Sequence, residues 1–277
     1  MTVVFVYGTL LQGLERHELL AKARPLGLAL AANVSLYDVG EYPALIPGED
    51  EVVGELYEVD AQTLSVLDEV EAYRPSQPEA SLYVRQRIPV RMLKDGQTVK
   101  AECYVYNGTV AAAQKIQVED YRRYRLESAQ PERYWMLAFG SNLSTARLAQ
   151  RVGPWPQQEV AYLPGYELVF NKSGEAPNVY ANVRFTGQGQ CPGVAYALTA
   201  QQLVALDPYE AGYLRLVLPV QRHNAPPLMA QLYIAHPEEM CQEQAPTAEY
   251  LGHIQRGYEE HKLAPEALDK ALARIQQ

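Results

Sequence analysis

The sequence predicts an α+β fold that occurs twice in tandem, and three observations lead to this prediction. Short runs that alternate between polar and apolar residues, typical of strands, outnumber the helical patterns. The elements follow neither a regular βαβ order nor an all-β order, so each copy is predicted to be a small, curled mixed sheet with few helices. One segment also recurs along the 277-residue chain at a constant offset of 139 residues.

The repeated segment covers residues 54–71 and 193–210. Eight of its 18 positions hold the same residue in both copies, a density that is hard to obtain by chance. The matching residues are Gly54, Tyr57, Ala61, Gln62, Leu64, Leu67, Asp68 and Glu71 in the first copy and Gly193, Tyr196, Ala200, Gln201, Leu203, Leu206, Asp207 and Glu210 in the second. A chain of this length has room for two domains of ordinary size.

The predicted domains are residues 1–120 and 133–277. A charged and polar segment around Val118–Arg123 separates them and is compatible with a short helix. The C-terminal tail is predicted to be helical, because Thr247 is a suitable N-cap and apolar residues recur after it at helical spacing. Pro265 then begins a last helical stretch.

In the first domain one helix stands out among several strands. The strands are Val3–Tyr7, Val52–Val59, Tyr83–Met92 and Lys100–Tyr106, and the helix is Ala61–Glu71 with Asp60 as its N-cap. Glu71 continues the apolar stripe of Leu64 and Leu67 and so points toward the core. A carboxylate in that place is either paired with a partner or desolvated, with a raised pKa.

The second copy of the helix differs because it contains Pro208. A proline there is expected to end the helix near Leu206. Glu210 is then predicted to lie on a turn just after the helix, with a different approach angle from that of Glu71.

A glycine ends the first apolar strand of each copy, Gly8 in the first and Gly140 in the second. Glycine lets the backbone turn sharply, come close to a ligand and present N–H groups to an anion. One such turn alone is as well explained by an ordinary strand-to-loop connection. Its recurrence in both copies, each followed by a glutamate at the end of the same helix, favours a ligand site.

Composition excludes several classes of partner. The formal charge of −9 and the pI near 5.2, without any basic run, predict no nucleic-acid partner. No apolar run is long enough for a membrane span. The cysteines form no CxxC pair and are interpreted as buried residues in a reducing compartment, so a cytoplasmic protein is expected; they are Cys103, Cys191 and Cys241. The five histidines have no metal-ligand spacing, and no cofactor is predicted.

Specific segments resemble a known superfamily. The first half resembles the avirulence-induced-gene-like branch of the gamma-glutamyl cyclotransferases, which includes the gamma-glutamylamine cyclotransferases, in Tyr7–Leu10, Leu36–Leu45, Gly54–Tyr57 and Leu67–Glu71. The second half resembles the gamma-glutamylcyclotransferase branch itself, in Phe139–Leu143, Phe170–Ser173, Ala181–Asn182, Gly193–Tyr196, Asp207–Glu210, Tyr250–Leu251, Ile254 and Gly257.

This resemblance implies two tandem domains, each a small mixed β-barrel with flanking helices. It implies that Glu71 and Glu210 are the acid/base residues. The substrate-binding residues that it implies are Tyr7, Gly8, Thr9, Leu10 and Tyr42 in the first domain and Phe139, Gly140, Ser141, Asn142, Leu143 and Tyr250 in the second. Phe139 departs from the usual tyrosine of the family, and the lost hydroxyl is expected to remove one hydrogen bond to substrate.

The resemblance also implies the reaction. A small γ-glutamyl amine or peptide closes on itself through its α-amine to give 5-oxoproline and a free amine. Such a reaction needs no enzyme nucleophile, so one glutamate suffices for the proton transfers. The alternative is a non-catalytic ligand-binding or scaffold protein that retains the fold. The leaving amine, the activity of each domain and the oligomeric state stay open.

Overall fold

The computed structural model describes residues 1–275, which fall into two compact units, residues 1–129 and the residues from Gln130 onward. Each unit contains one copy of the repeat. The predicted domain limits, 1–120 and 133–277, stay a prediction, and residues 276–277 of the second lie outside the described residues. No helix in the described part is both long and apolar enough to cross a membrane.

The first unit is a ring of five strands. The strands are β1 (Thr2–Val6), β2 (Arg24–Asp38), β3 (Pro43–Val59), β4 (Tyr83–Met92) and β5 (Thr98–Tyr106), and a short β6 (Gln114–Lys115) pairs with β2. Their order is β3-β1-β5-β4-β2, and β2 pairs again with β3. The β1–β5 pair is parallel and the others are antiparallel, so the sheet is mixed as predicted.

Two helices accompany this ring, α1 (Ala61–Val70) and α2 (Tyr121–Ser128). The N-terminus of α1 is capped by Asp60, whose carboxylate accepts a hydrogen bond of 2.7 Å from Thr63 N. The helix ends at Glu71, the C-cap, because Ala72 adopts a left-handed backbone conformation with φ of 49°. The predicted helix and its cap are therefore confirmed.

A buried ion pair fastens α2 to the ring. Arg122 and Glu55 are both almost fully buried, and their side chains meet at 2.5 Å. Glu55 also accepts hydrogen bonds from Tyr57 Oη at 2.8 Å and from Gln12 N at 2.9 Å. Because one partner alone would be a buried, uncompensated charge, this cluster ties the helix and the loop near Gln12 to the same strand.

The second unit is a closed barrel of five strands. They are β7 (Tyr134–Ala138), β8 (Gln158–Ser173), β9 (Val179–Leu198), β10 (Tyr213–Arg222) and β11 (Ala225–Ala235), in the order β10-β11-β7-β9-β8. The pairing of β7 with β11 is parallel, which repeats the β1–β5 pair of the first unit.

The described residues of this unit form four α-helices, which are α3 (Thr145–Val152), α4 (Ala200–Leu206), α5 (Ala248–His261) and α6 (Glu266–Ile275). The end of α4 at Leu206 confirms the effect predicted for Pro208, and a 3-10 turn, Asp207–Glu210, follows. Thr247 caps α5 as predicted, and α6 begins directly after Pro265. Of the three cysteines, Cys103 and Cys191 are buried, whereas Cys241 is only partly buried, contrary to prediction.

Candidate active site

Each unit contains a hollow beside the end of its first strand. The first hollow is lined by Phe5, Val6, Tyr7, Gly8, Thr9, Leu10, Arg16, Tyr42, Pro43, Glu71, Tyr83 and Tyr104. All six site residues predicted for the first domain therefore lie together. Arg16, Tyr83 and Tyr104 were not predicted as site residues. The two tyrosines recur in the second copy as Tyr213 and Tyr233, and this recurrence is the sequence signal that could have identified them.

The turn after β1 is held in shape by its own backbone and by a proline. Leu11 N donates to Gly8 O and Arg16 N donates to Thr9 O, both at 3.0 Å. A Cβ atom on Gly8 would lie 2.8 Å from Pro43 Cγ, so any other residue would push the wall of the hollow outward. In residues 1–275 the N–H groups of Gly8, Thr9 and Leu10 donate to no backbone carbonyl. Such N–H groups are suited to an anion.

Glu71 projects into this hollow from the end of α1. Within the described residues its carboxylate forms no hydrogen bond and no ion pair. Burial raises the pKa of Glu71 to about 7, and the positive charge of Arg16 acts in the opposite direction. Both protonation states are then populated near neutral pH, as a group that accepts and returns a proton requires.

The tyrosines of the first hollow use their hydroxyl protons within the protein. Tyr7 Oη donates to the Tyr104 carbonyl at 2.6 Å, and Tyr83 Oη donates to the Pro43 carbonyl at 2.7 Å. Burial raises the pKa of both hydroxyls, so they stay neutral. The single proton of the Tyr7 hydroxyl is thus given to the Tyr104 carbonyl, and a hydrogen bond between this hydroxyl and substrate, in which its oxygen would accept, stays a prediction.

A polar contact anchors the helix end that bears Glu71. Asp68, one turn before Glu71, accepts hydrogen bonds from Arg85 Nη1 at 2.8 and 2.9 Å and from Tyr104 Oη at 2.7 Å. Arg85 lies on β4 and Tyr104 on β5. The last turn of α1 is thus fixed against two strands of the ring, which sets the position of Glu71.

The second hollow occupies the corresponding place. It is lined by Met136, Leu137, Ala138, Phe139, Gly140, Ser141, Asn142, Ala181, Glu210, Tyr213, Tyr233 and Tyr250. Leu143 is a predicted site residue that the structure does not bring there. It is fully buried and packs against Gly257 of α5, where an added Cβ would lie 2.2 Å from Leu143 Cβ. The bond from Leu143 N to Gly140 O repeats that from Leu11 to Gly8, so Leu143 corresponds to Leu11.

Glu210, unlike Glu71, has partners. Its Oε1 accepts a hydrogen bond from Asn142 Nδ2 at 2.8 Å and one from Arg151 Nη1 at 3.2 Å, and Arg151 also donates to Asn142 Oδ1 at 2.7 Å. Burial raises the pKa of Glu210, and both partners oppose that rise. In the first unit Leu10 holds the position of Asn142, and because its side chain has no donor, Glu71 lacks this partner.

The remaining contacts of the two hollows correspond. Tyr213 Oη donates to the Ala181 carbonyl at 2.7 Å, as Tyr83 does to Pro43. The second unit also repeats the anchor on the helix end: Asp207 accepts a hydrogen bond of 2.8 Å from Tyr233 Oη and forms an ion pair of 3.1 Å with Arg215.

Tyr250 is held at the back of the second hollow. Its hydroxyl accepts a hydrogen bond of 3.1 Å from Ala181 N, and burial raises its pKa to about 12. A Cβ atom on Gly140 would lie 3.4 Å from Tyr250 Oη. Among the described residues, no group of three or more His, Cys, Asp or Glu side chains is placed to hold a metal ion.

The family comparison agrees with this repeated geometry. The family described as "Gamma-glutamyl cyclotransferase, AIG2-like" matches residues 4–123 and again residues 136–252. The chain belongs to the gamma-glutamyl cyclotransferase, AIG2-like family. The predicted resemblance and the predicted fold class, two tandem repeats of this family with mixed α and β content, are confirmed.

Relatives in this gamma-glutamyl cyclotransferase family include bacterial proteins. The gamma-L-glutamyl-butirosin B gamma-glutamyl cyclotransferase of Niallia circulans is 34% identical over 130 residues, which cover 47% of this chain and 81% of that protein. A putative gamma-glutamylcyclotransferase of Vibrio cholerae is 44% identical over 70 residues, 25% of this chain and 61% of that protein. The crystal structure of YkqA from Bacillus subtilis covers all of this chain and 98% of its own, with a TM-score of 0.81 and 23% identity, and shares the fold.

Proposed function

We propose that this protein converts a γ-glutamyl amine or peptide to 5-oxoproline and a free amine, with Glu71 as general acid/base in the first hollow and Glu210 in the second. One observation carries the proposal most: Glu71 is an unpaired carboxylate that lines the first hollow, and burial raises its pKa to about 7. The names of its relatives in the family support the same reaction class.

The reaction needs one proton to be moved. The neutral α-amine attacks the γ-carbonyl carbon, and as the new C–N bond forms its nitrogen gives a proton to the Glu71 carboxylate. The carboxylic acid of Glu71 returns this proton to the leaving nitrogen as the amide C–N bond breaks. An acid/base group contributes about 10²–10⁴-fold to such a reaction. Orientation of an intramolecular attack supplies roughly 7–11 kcal/mol.

The turn after β1 is proposed to hold the glutamyl head group. We expect the N–H groups of Gly8, Thr9 and Leu10 to bind the α-carboxylate or to stabilise negative charge that develops on the γ-carbonyl oxygen, since these residues line the hollow and their N–H groups donate to no backbone carbonyl. Tyr7 and Tyr83, whose hydroxyl groups already donate hydrogen bonds within the protein, line the hollow and are proposed to exclude water. In the second hollow the turn at Gly140 has the same role, and Tyr250 closes the back of the site.

We propose that Glu71 is the stronger catalyst of the two. Asn142 and Arg151 stabilise the ionised form of Glu210, which makes its carboxylate a weaker base for the proton of the α-amine. This network is also what favours the alternative function, a site that binds a γ-glutamyl compound without cyclising it. A ligand recovered unchanged after long incubation with the whole protein would support that alternative.

We also propose a cytoplasmic location, because the three cysteines are free thiols, as is usual in a reducing compartment.

The test is release of 5-oxoproline by four proteins: wild type, Glu71→Gln, Glu210→Gln and the double variant. We expect the double variant to lose at least about 100-fold in kcat. Glu69→Gln is the matched control, because Glu69 is an exposed carboxylate two residues from Glu71 on the same helix. Circular dichroism checks that each variant is folded. Turnover by the folded double variant at the wild-type rate contradicts the proposal.

A further inference from the structure

Arg16 is the cation that distinguishes the two hollows. It lines the first hollow, is partly exposed, and forms no ion pair within residues 1–275. It is near enough to Glu71 to oppose the rise of that pKa. A guanidinium without an internal anion, facing a hollow, is suited to bind an anion from outside.

The backbone of Arg16 is held next to the turn after β1, which we propose binds substrate. Its backbone N–H donates to the Thr9 carbonyl at 3.0 Å, and the ring Nδ1 of the next residue, His17, lies 3.1 Å from the Leu10 carbonyl. These contacts fix the segment after the turn. The backbone that bears the Arg16 side chain is therefore held in a defined position beside the hollow.

The second hollow offers no equivalent cation among its lining residues. The nearby Arg151 is engaged with Asn142 and Glu210, and it also lies over the Tyr209 ring at 4.7 Å. Features common to both hollows are the glycine turn, one glutamate and two tyrosines bonded to backbone or anchor groups. A head group bound in both hollows would be recognised by these common features, which leaves Arg16 for a part of the substrate that varies.

We propose that Arg16 is a specificity residue, which binds a carboxylate on the leaving amine and makes the first site prefer γ-glutamyl amino acids to γ-glutamyl alkylamines. This inference rests on the proposed function. The planar guanidinium matches a carboxylate with two parallel hydrogen bonds. Binding that carboxylate also offsets the positive charge near Glu71, which favours the protonated acid that the leaving nitrogen needs.

The test compares two substrates that differ only in this carboxylate, γ-glutamyl-L-alanine and γ-glutamylethylamine. The Glu210→Gln protein serves as background, so that turnover reports on the first site. Arg16→Gln is expected to lower the ratio of kcat/KM for the alanine compound to that for the ethylamine compound about 10- to 100-fold. Arg24→Gln is the matched control, because Arg24 is an exposed arginine of the same unit that pairs with Glu58 outside the hollow.

The outcomes separate this inference from the function on which it rests. An unchanged ratio, or an equal loss on both substrates, overturns the role of Arg16 and leaves the reaction intact. Release of 5-oxoproline from neither substrate contradicts the proposed function instead. In that case calorimetric binding to the Glu71→Gln, Glu210→Gln protein still tests Arg16. Tighter binding of the alanine compound that disappears with Arg16→Gln supports the inference, and equal affinities overturn it.

Discussion

Tyr104 donates a hydrogen bond of 2.7 Å to Asp68, and Tyr233 donates the same bond, of 2.8 Å, to Asp207 in the second unit. Each aspartate lies three residues before the glutamate that we propose as acid/base. In both units an arginine on the neighbouring strand completes the contact. The repetition of this anchor indicates that it fixes the position of the glutamate, whichever hollow is considered.

Asp68→Asn tests this positioning role. The change removes the charge that pairs with Arg85 and keeps the size of the side chain. We expect kcat of the first site to fall about 10-fold, with a smaller change in KM, and stability to fall by about 1–3 kcal/mol. Steady-state rates on γ-glutamylethylamine in the Glu210→Gln background give kcat and KM, and urea unfolding gives the stability. A loss of stability with an unchanged kcat would contradict the positioning role.

Tyr7→Phe tests whether the first-strand tyrosine contacts substrate. Its proton is already given to the Tyr104 carbonyl, and the second unit has Phe139 at the matching place. We therefore expect stability to fall by about 1 kcal/mol, the usual worth of one hydrogen bond. We expect kcat and KM of the first site to change less than about threefold, since the hydroxyl proton is not available to substrate. A fall in kcat/KM of about 30-fold or more would show that substrate uses this hydroxyl.

Glu71→Gln is expected to stabilise the protein in a pH-dependent way. The folded state raises the pKa of Glu71 from 4.5 to about 7, so the folded protein binds the proton more tightly than the unfolded chain does. Stability is then lost as pH rises from 4.5 to about 7 and stays low above it. At about 1.36 kcal/mol per pH unit, the loss is at most about 3 kcal/mol.

Glutamine carries no charge and avoids this loss. Thermal unfolding at pH 5 and at pH 8 should show that Glu71→Gln raises Tm more at the higher pH, whereas Glu69→Gln, which alters an exposed carboxylate, should show no such difference. Equal effects of Glu71→Gln at the two pH values would mean that the carboxylate is well solvated in the folded protein.

Much of this site follows from local sequence rules. Gly8 and Gly140 mark the turns, the repeat identifies Glu71 and Glu210, and Pro208 predicts where α4 ends. These features depend on backbone preferences and periodicity, which a single sequence displays.

The arginines could not be predicted in the same way. Arg16 follows its turn by eight residues and Arg151 follows its own by eleven, in segments that the repeat does not align. Their placement depends on how the loop and α3 pack against the barrel. Leu143 was predicted beside Asn142 because the two turns were compared with an offset of one residue; in the structure it matches the buried Leu11 and not Leu10.

The pH dependence of kcat tests the acid/base role of Glu71 most directly. The Glu210→Gln protein is assayed with saturating γ-glutamylethylamine, with and without Arg16→Gln. We expect kcat to rise with pH through about 7, as Glu71 becomes the carboxylate that accepts the amine proton. Removing the Arg16 charge should move this rise to higher pH, because that charge lowers the pKa of Glu71. A profile without an ionisation near 7, or one that Arg16→Gln leaves in place, would contradict Glu71 as the group that carries the proton.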